Sequence, residues 1–220
     1  MKTQVKICGI TNLDDALAAA DAGADYLGFI LWPGSKRAIT PAGAKPLVAT
    51  LRRRATCPLL VGVFVNETAA TMAHLLDELD LDLAQLSGEE PPALVADPGS
   101  PLYGRSYKGI RPASLAEAEA EAEWYLPPEP VAGRPSLLLD AYHPTLRGGT
   151  GRRADWEMAA RLADTVANLM LAGGLTPDNV ATAVSRVHPF AVDVASGVEA
   201  APGRKDHDLV RAFVANARSD

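Results

Sequence analysis

Eight short runs of strand-favouring residues recur along the chain, each followed by Gly, Asn, Pro or Thr punctuation and then by a longer, mostly Ala- and Leu-rich segment. The runs are Gln4–Cys8, Tyr26–Ile30, Leu59–Val65, Leu83–Leu86, Leu102–Lys108, Ser136–Asp140, Asn168–Ala172 and Ala191–Val194. Strands that alternate with helical segments run parallel, because each intervening helix carries the chain back across the sheet before the next strand starts. Nothing in composition breaks the pattern. At 220 residues the chain is slightly shorter than the roughly 250 usual for the fold, and eight such units predict a compact (β/α)₈ barrel formed as one domain over residues 1–220. A doubly wound open sheet is the alternative.

The segments between the runs carry helix signals. Asn12 to Asp21 begins with a capping side chain and places Asp14 and Asp15 near the positive end of the dipole. Helices are also expected over Thr68 to Leu79, Asp155 to Leu162, Thr176 to Val187, with Pro177 in its first turn, and Lys205 to Ala217. The stretch SLAEAEAEAEWY, Ser114 to Tyr125, alternates like a strand. Ala and Glu are strong helix formers and poor strand formers, so it is predicted to be an acidic surface helix. The proline-rich PPEPVAGRP falls between a helix and a strand of the pattern and fits a long connection.

Composition removes several classes of function. A net charge of -6 disfavours a general electrostatic grip on nucleic acid or anionic lipid. The apolar run LLVGVFV, Leu59 to Val65, is far too short to span a bilayer, and the N-terminus enters KICGIT without a basic and apolar leader. Two cysteines without paired spacing fit a reducing compartment, so a cytoplasmic location is expected. His74, His143, His188 and His207 lack ligand spacing, so no metal site is expected.

In a barrel of this kind the C-terminal ends of the strands and the loops after them face the reactive mouth. Cys8 and Asp140 fall there, at the ends of the first and sixth strands. Cys57 precedes the third strand, at the opposite end, too far away to pair with Cys8. A thiol at a strand end before a helix, with a cation near it, can be activated as a base or nucleophile; otherwise it is a small apolar filler. Asp140 ends the apolar run SLLLD. Burial there favours a carboxyl that keeps a proton for donation, with a loop-capping carboxylate as the alternative.

The late units LAGGLTPDNV and VDVASGVE place small residues between a strand and the next helix start, where backbone amides can face an anion. Gly173, Gly174, Ser196 and Gly197 are therefore candidate phosphate contacts, a tight turn being the alternative. RGGTGRR, Arg147 to Arg153, lacks the ending of a nucleotide-binding loop and fits a covering loop or an inert connection. Arg37 is able to pair with a carboxylate as a fork or to remain solvated. Lys6 lies two residues before Cys8, on the same side of the strand, and either supplies charge to thiolate or ligand or is structural. His143 lies in a loop on the reactive face.

Taken in order, KICGIT, LGFILWPGSKRAI, VGVFVN, AQLSGEE, LLLDA, GGTGRRADW, LAGGLTPDNV and VDVASGVE followed by PGRKD resemble the phosphoribosylanthranilate isomerases of tryptophan biosynthesis, over nearly the whole chain. The resemblance implies a (β/α)₈ barrel that converts N-(5-phosphoribosyl)anthranilate, an aminoaldose, into the corresponding 1-deoxyribulose 5-phosphate aminoketose, with no cofactor or metal. It implies a small phosphosugar-anthranilate substrate as the partner and leaves the oligomeric state unknown. By motif, Cys8 is similar to the general base, Asp140 to the general acid, Arg37 to an anthranilate-side contact, and Gly173, Gly174, Ser196 and Gly197 to the phosphate site. One position departs: Ser87 in QLSG stands where members commonly carry histidine.

Three other readings are open. The related histidine-pathway aminoaldose isomerase resembles the chain in fold but normally has a carboxylate where Cys8 stands. A non-catalytic phosphosugar-binding barrel would bind a product analogue without turnover. A thiol-redox protein is disfavoured by the lack of a C-x-x-C pair.

Overall fold

The structure, a computed structural model, describes residues 2–140 and 156–219. Its strands are β1 (Gln4–Cys8), β2 (Tyr26–Ile30), β3 (Leu59–Phe64), β4 (Leu83–Leu86), β5 (Ser106–Ile110), β6 (Leu137–Asp140), β7 (Leu169–Ala172) and β8 (Ala191–Val194). They form a closed parallel barrel in sequence order, and β8 pairs with β1 through Lys6 opposite Asp193. The helices are α1 (Leu13–Asp21), α2 (Pro41–Arg52), α3 (Ala69–Glu78), α4 (Ala93–Ala96), α5 (Leu115–Tyr125), α6 (Trp156–Ala163), α7 (Val180–Val187) and α8 (His207–Asn216). A 3₁₀ turn at Ser196–Val198 leads into a small antiparallel ribbon, β9 (Glu199–Ala201) and β10 (Arg204–Lys205).

Strand alternation divides the core into two layers. Val5, Ile7, Leu27, Phe29 and Leu60 face the helices, whereas Tyr26, Val61, Leu83, Tyr107, Leu138 and Met170 fill the barrel interior. The interior is thus packed with side chains beneath the mouth.

Several boundaries differ from the sequence expectation for local reasons. Leu102 to Arg105 is a turn, with Arg105 N–H bonded to Leu102 O and Gly104 at φ 70°, so β5 starts later. Pro41, Gly43 and Pro46 hide α2 from a propensity reading. Thr40 nevertheless caps it by accepting from Gly43 N–H at 3.1 Å, and Ala44, Val48 and Leu51 are buried. That burial offsets an interior proline whose usual cost is about 3 kcal/mol. The four-residue α4 carries no side-chain cap. Thr176 to Asn179 forms a turn ahead of α7, and Arg204–Lys205 is ribbon before Asp206 caps α8. The acidic segment is helical as expected, with Ser114 accepting from Glu117 N–H.

Candidate active site

Cys8 ends β1 and is 5% exposed. The register sets it beside Gly28, where an added methyl would come within 2.8 Å of Cys8 Sγ and 3.2 Å of Lys6 Cε. Gly28 leaves the space that the thiol and the lysine stem occupy together. Lys6 is completely buried; its Nζ donates to Asp193 Oδ1 at 2.7 Å and to Gln85 Oε1 at 2.9 Å. Tyr107 Oη donates to the same Gln85 oxygen at 3.0 Å, and Gln85 Nε2 donates to Ser87 Oγ at 3.1 Å. Lys6 therefore lies inward as alternation requires, but in the layer under the mouth.

Burial disfavours the Lys6 ammonium, but the charges of Asp193 and Cys8 outweigh burial and hold its pKa above the ordinary lysine value. At Cys8 the balance goes the other way. Burial, the largest influence, raises the thiol and Asp193 adds to the rise, and together they outweigh the lowering by Lys6 and Lys205. A cation able to activate the thiol is present, yet burial prevails and the free thiol is pushed up.

Asp140, the last residue of β6, keeps 24% of its side chain exposed, and its Oδ2 accepts from Arg111 Nε at 3.1 Å. Cys8 and Asp140 line one cavity of about 1020 Å³. Arg37 and Ser87 line it too, as do Gly173, Gly174, Ser196 and Gly197. Gly173 and Gly174 have φ of 99° and 64°, a region open to glycine without strain. Asn179 fixes their loop, accepting from Thr176 N–H at 2.8 Å and donating to Gly174 O at 3.0 Å. A side chain at Gly197 would come 1.9 Å from Leu175 O, so the loops after β7 and β8 pack backbone on backbone.

The Arg37 fork is already engaged. Its Nε donates to Glu199 Oε1 at 2.8 Å and its Nη2 to Oε2 at 2.7 Å, while Lys205 Nζ donates to Glu199 Oε1 at 3.1 Å and to Ala195 O at 3.0 Å. Burial alone would raise the Glu199 carboxyl; the Arg37 hydrogen bonds and the Lys205 charge overcome it and hold the group below its usual value. Sequence reasoning missed Glu199, Asp193, Gln85 and Tyr107. Gln85 and Asp193 had a signal, since each is a polar residue inside an otherwise apolar strand.

The two cysteines are unpaired, and Cys57 lines a separate depression with Gln4 and Tyr26, at the end of the barrel where the strands begin. Among the described residues no group of three His, Cys, Asp or Glu side chains is placed to hold a metal ion, and no helix is long and apolar enough to cross a membrane. His143 and the RGGTGRR stretch lie outside the described residues.

Residues 5–216 match the family model of N-(5'-phosphoribosyl)anthranilate isomerase. The chain belongs to that family. An N-(5'-phosphoribosyl)anthranilate isomerase of Geobacter sp. (strain M21) is 46% identical over 219 residues, covering 98% of each chain. The crystal structure of the family member from Thermotoga maritima superposes with a TM-score of 0.80 at 37% identity, over 98% of each chain. A further family structure, 35% identical with a TM-score of 0.78 over 98% of each chain, is a complex with reduced 1-(o-carboxyphenylamino)-1-deoxyribulose 5-phosphate. The kinship expected from the ordered motifs is thereby shown, as is the barrel.

Proposed function

We propose that Cys8 and Asp140 act as base and acid in the family's reaction, the conversion of N-(5'-phosphoribosyl)anthranilate into 1-(2-carboxyphenylamino)-1-deoxyribulose 5-phosphate. The isomerase activity in tryptophan biosynthesis is that of the family to which the chain belongs. The observation that carries the assignment is the presence of the β1 thiol, the β6 carboxyl and the loops after β7 and β8 around a single cavity.

Asp140 protonates the furanose ring oxygen, the ring C–O bond breaks, and the nitrogen lone pair forms the Schiff base. The Cys8 thiolate then removes the proton from the adjacent carbon, and those electrons neutralise the iminium to give an enolamine. Tautomerisation yields the aminoketose. Each group performs one proton transfer, for which about 3 Å of reach is needed. The Gly173–Gly174 and Ser196–Gly197 backbones anchor the phosphate and thereby set that reach. Arg37 faces the anthranilate carboxylate while Glu199 holds its fork.

Lys6 serves the substrate site through Cys8. Its fully enclosed charge stabilises the thiolate against desolvation, and its bonds to Asp193 and Gln85 fix where that charge sits. A reducing cytoplasm keeps such a thiol in its working form. Loss of anthranilate-substrate fluorescence on adding purified protein, with chelator present, is the expected result. No change in fluorescence, beside a family enzyme that turns over under the same conditions, would overturn the reading.

A further inference from the structure

Trp32 lines the same cavity as Cys8 and Asp140, and no step of the proposed reaction uses it. Its side chain follows the end of β2, where Leu31 N–H extends the ladder by bonding to Val63 O at 3.0 Å. Among the described residues it is one of four large hydrophobic side chains left exposed, at 42%, and of those it is the one on the cavity wall. An indole left partly exposed on a cavity wall is an apolar surface that a ligand can cover.

The ring is also held in place. A methyl at Gly34 would come within 2.4 Å of Trp32 Cζ2 and 2.6 Å of Cη2, so the six-membered edge packs directly on the Gly34 backbone. The loop beneath is closed by Ser35 N–H to Trp32 O at 3.2 Å, Ala38 N–H to Ser35 O at 3.1 Å and Arg37 N–H to Ser35 Oγ at 3.1 Å. Trp32 and Arg37 thus stand five residues apart on one pinned loop, Arg37 being fastened further by Glu199. An aromatic surface and a guanidinium on a common rigid support match a ligand that combines an aryl ring with a carboxylate.

We propose that Trp32 is a specificity-determining residue that packs against the aryl ring of the substrate. Phosphosugars without the ring gain nothing from it. The inference rests on the proposed reading of this cavity as the substrate site and adds which part of the substrate meets which wall.

The test compares Trp32→Ala and Trp32→Phe with the unaltered protein. In Trp32→Ala, KM for N-(5'-phosphoribosyl)anthranilate rises about tenfold, the scale of one lost aromatic packing contact, with kcat within about threefold. Trp32→Phe recovers most of the loss. Inhibition by ribulose 5-phosphate, which has the phosphate and sugar but no ring, stays within about twofold in both variants. Binding of reduced 1-(o-carboxyphenylamino)-1-deoxyribulose 5-phosphate quenches tryptophan emission, and that quenching is mostly lost in Trp32→Phe although Trp124 and Trp156 remain. An unchanged KM in Trp32→Ala, or equal weakening of the ring-bearing and ringless ligands, would overturn the proposal. Failure of the substrate-site reading looks different: Cys8→Ala would then retain turnover whatever Trp32 does.

Discussion

Lys6 Nζ and Asp193 Oδ1 lie 2.7 Å apart inside the barrel, on paired strands that close it, with the lysine side chain wholly enclosed. The pair joins the closure of the sheet to the electrostatics of the thiol above it. Replacing Lys6 by Met removes the charge at similar length and leaves the Asp193 carboxylate, 11% exposed, without its ion-pair partner. Breaking such a pair costs about 3–5 kcal/mol, and Lys6→Met should lose that much in urea unfolding. Lys6→Met/Asp193→Asn together should recover part of it. A single variant as stable as the original protein would mean the ion pair is idle.

The thiol supplies a pH prediction. Burial exceeds the pull of Lys6 and holds the Cys8 thiol above its ordinary value. The thiolate is then the minor form at neutral pH, so kcat/KM should still be rising through the mildly alkaline range, in step with the rate of Cys8 alkylation. Lys6→Met should move the rising limb further to alkaline pH. A plateau already reached at neutral pH would show a thiolate formed in advance.

Glu199 connects Arg37 to Lys205, and Glu199→Gln should release both. The expected effects are a KM increase of about five- to tenfold through Arg37 and a stability loss of about 3 kcal/mol, because Lys205 is left buried without its counter-charge. The folded carboxyl titrates below its unfolded value, so its contribution is complete above the unfolded value and is lost as the pH falls through the folded one. The stability gap between the two proteins, measured in urea, should therefore be constant above about pH 6 and shrink toward about pH 3. A gap that widens in acid would contradict this.

Gly197→Ala tests the anion loops. The new methyl would meet Leu175 O at 1.9 Å, so the backbone must move. KM and the inhibition constant of inorganic phosphate should both rise at least about tenfold, with a smaller change in kcat. Unaltered phosphate inhibition would place the phosphate elsewhere.

The barrel was legible because periodicity and punctuation report on local structure, and eight βα units admit few closed arrangements. That Cys8 and Asp140 lie at the mouth was legible because strand ends map there once the fold is known. What escaped was set by contacts distant in sequence. Gln85 meets Lys6 across 79 positions, and Glu199 meets Arg37 across 162. The sign of the Cys8 shift also escaped, since it depends on how far burial outweighs charge, and that balance exists only after the strands have closed. The helix α2 was hidden by Pro41 and Pro46, of which only Pro46 lies in the helix interior, its cost met by tertiary packing.

The central claim is that a thiol on β1 and a carboxyl on β6 exchange protons with one substrate in one cavity. Its most direct test is kcat for Cys8→Ala and Asp140→Asn, measured together with the Kd of reduced 1-(o-carboxyphenylamino)-1-deoxyribulose 5-phosphate. Both variants should lose roughly 10²–10⁴-fold in kcat, with the analogue bound within about threefold of the original affinity. Turnover close to the original in either variant would contradict the account.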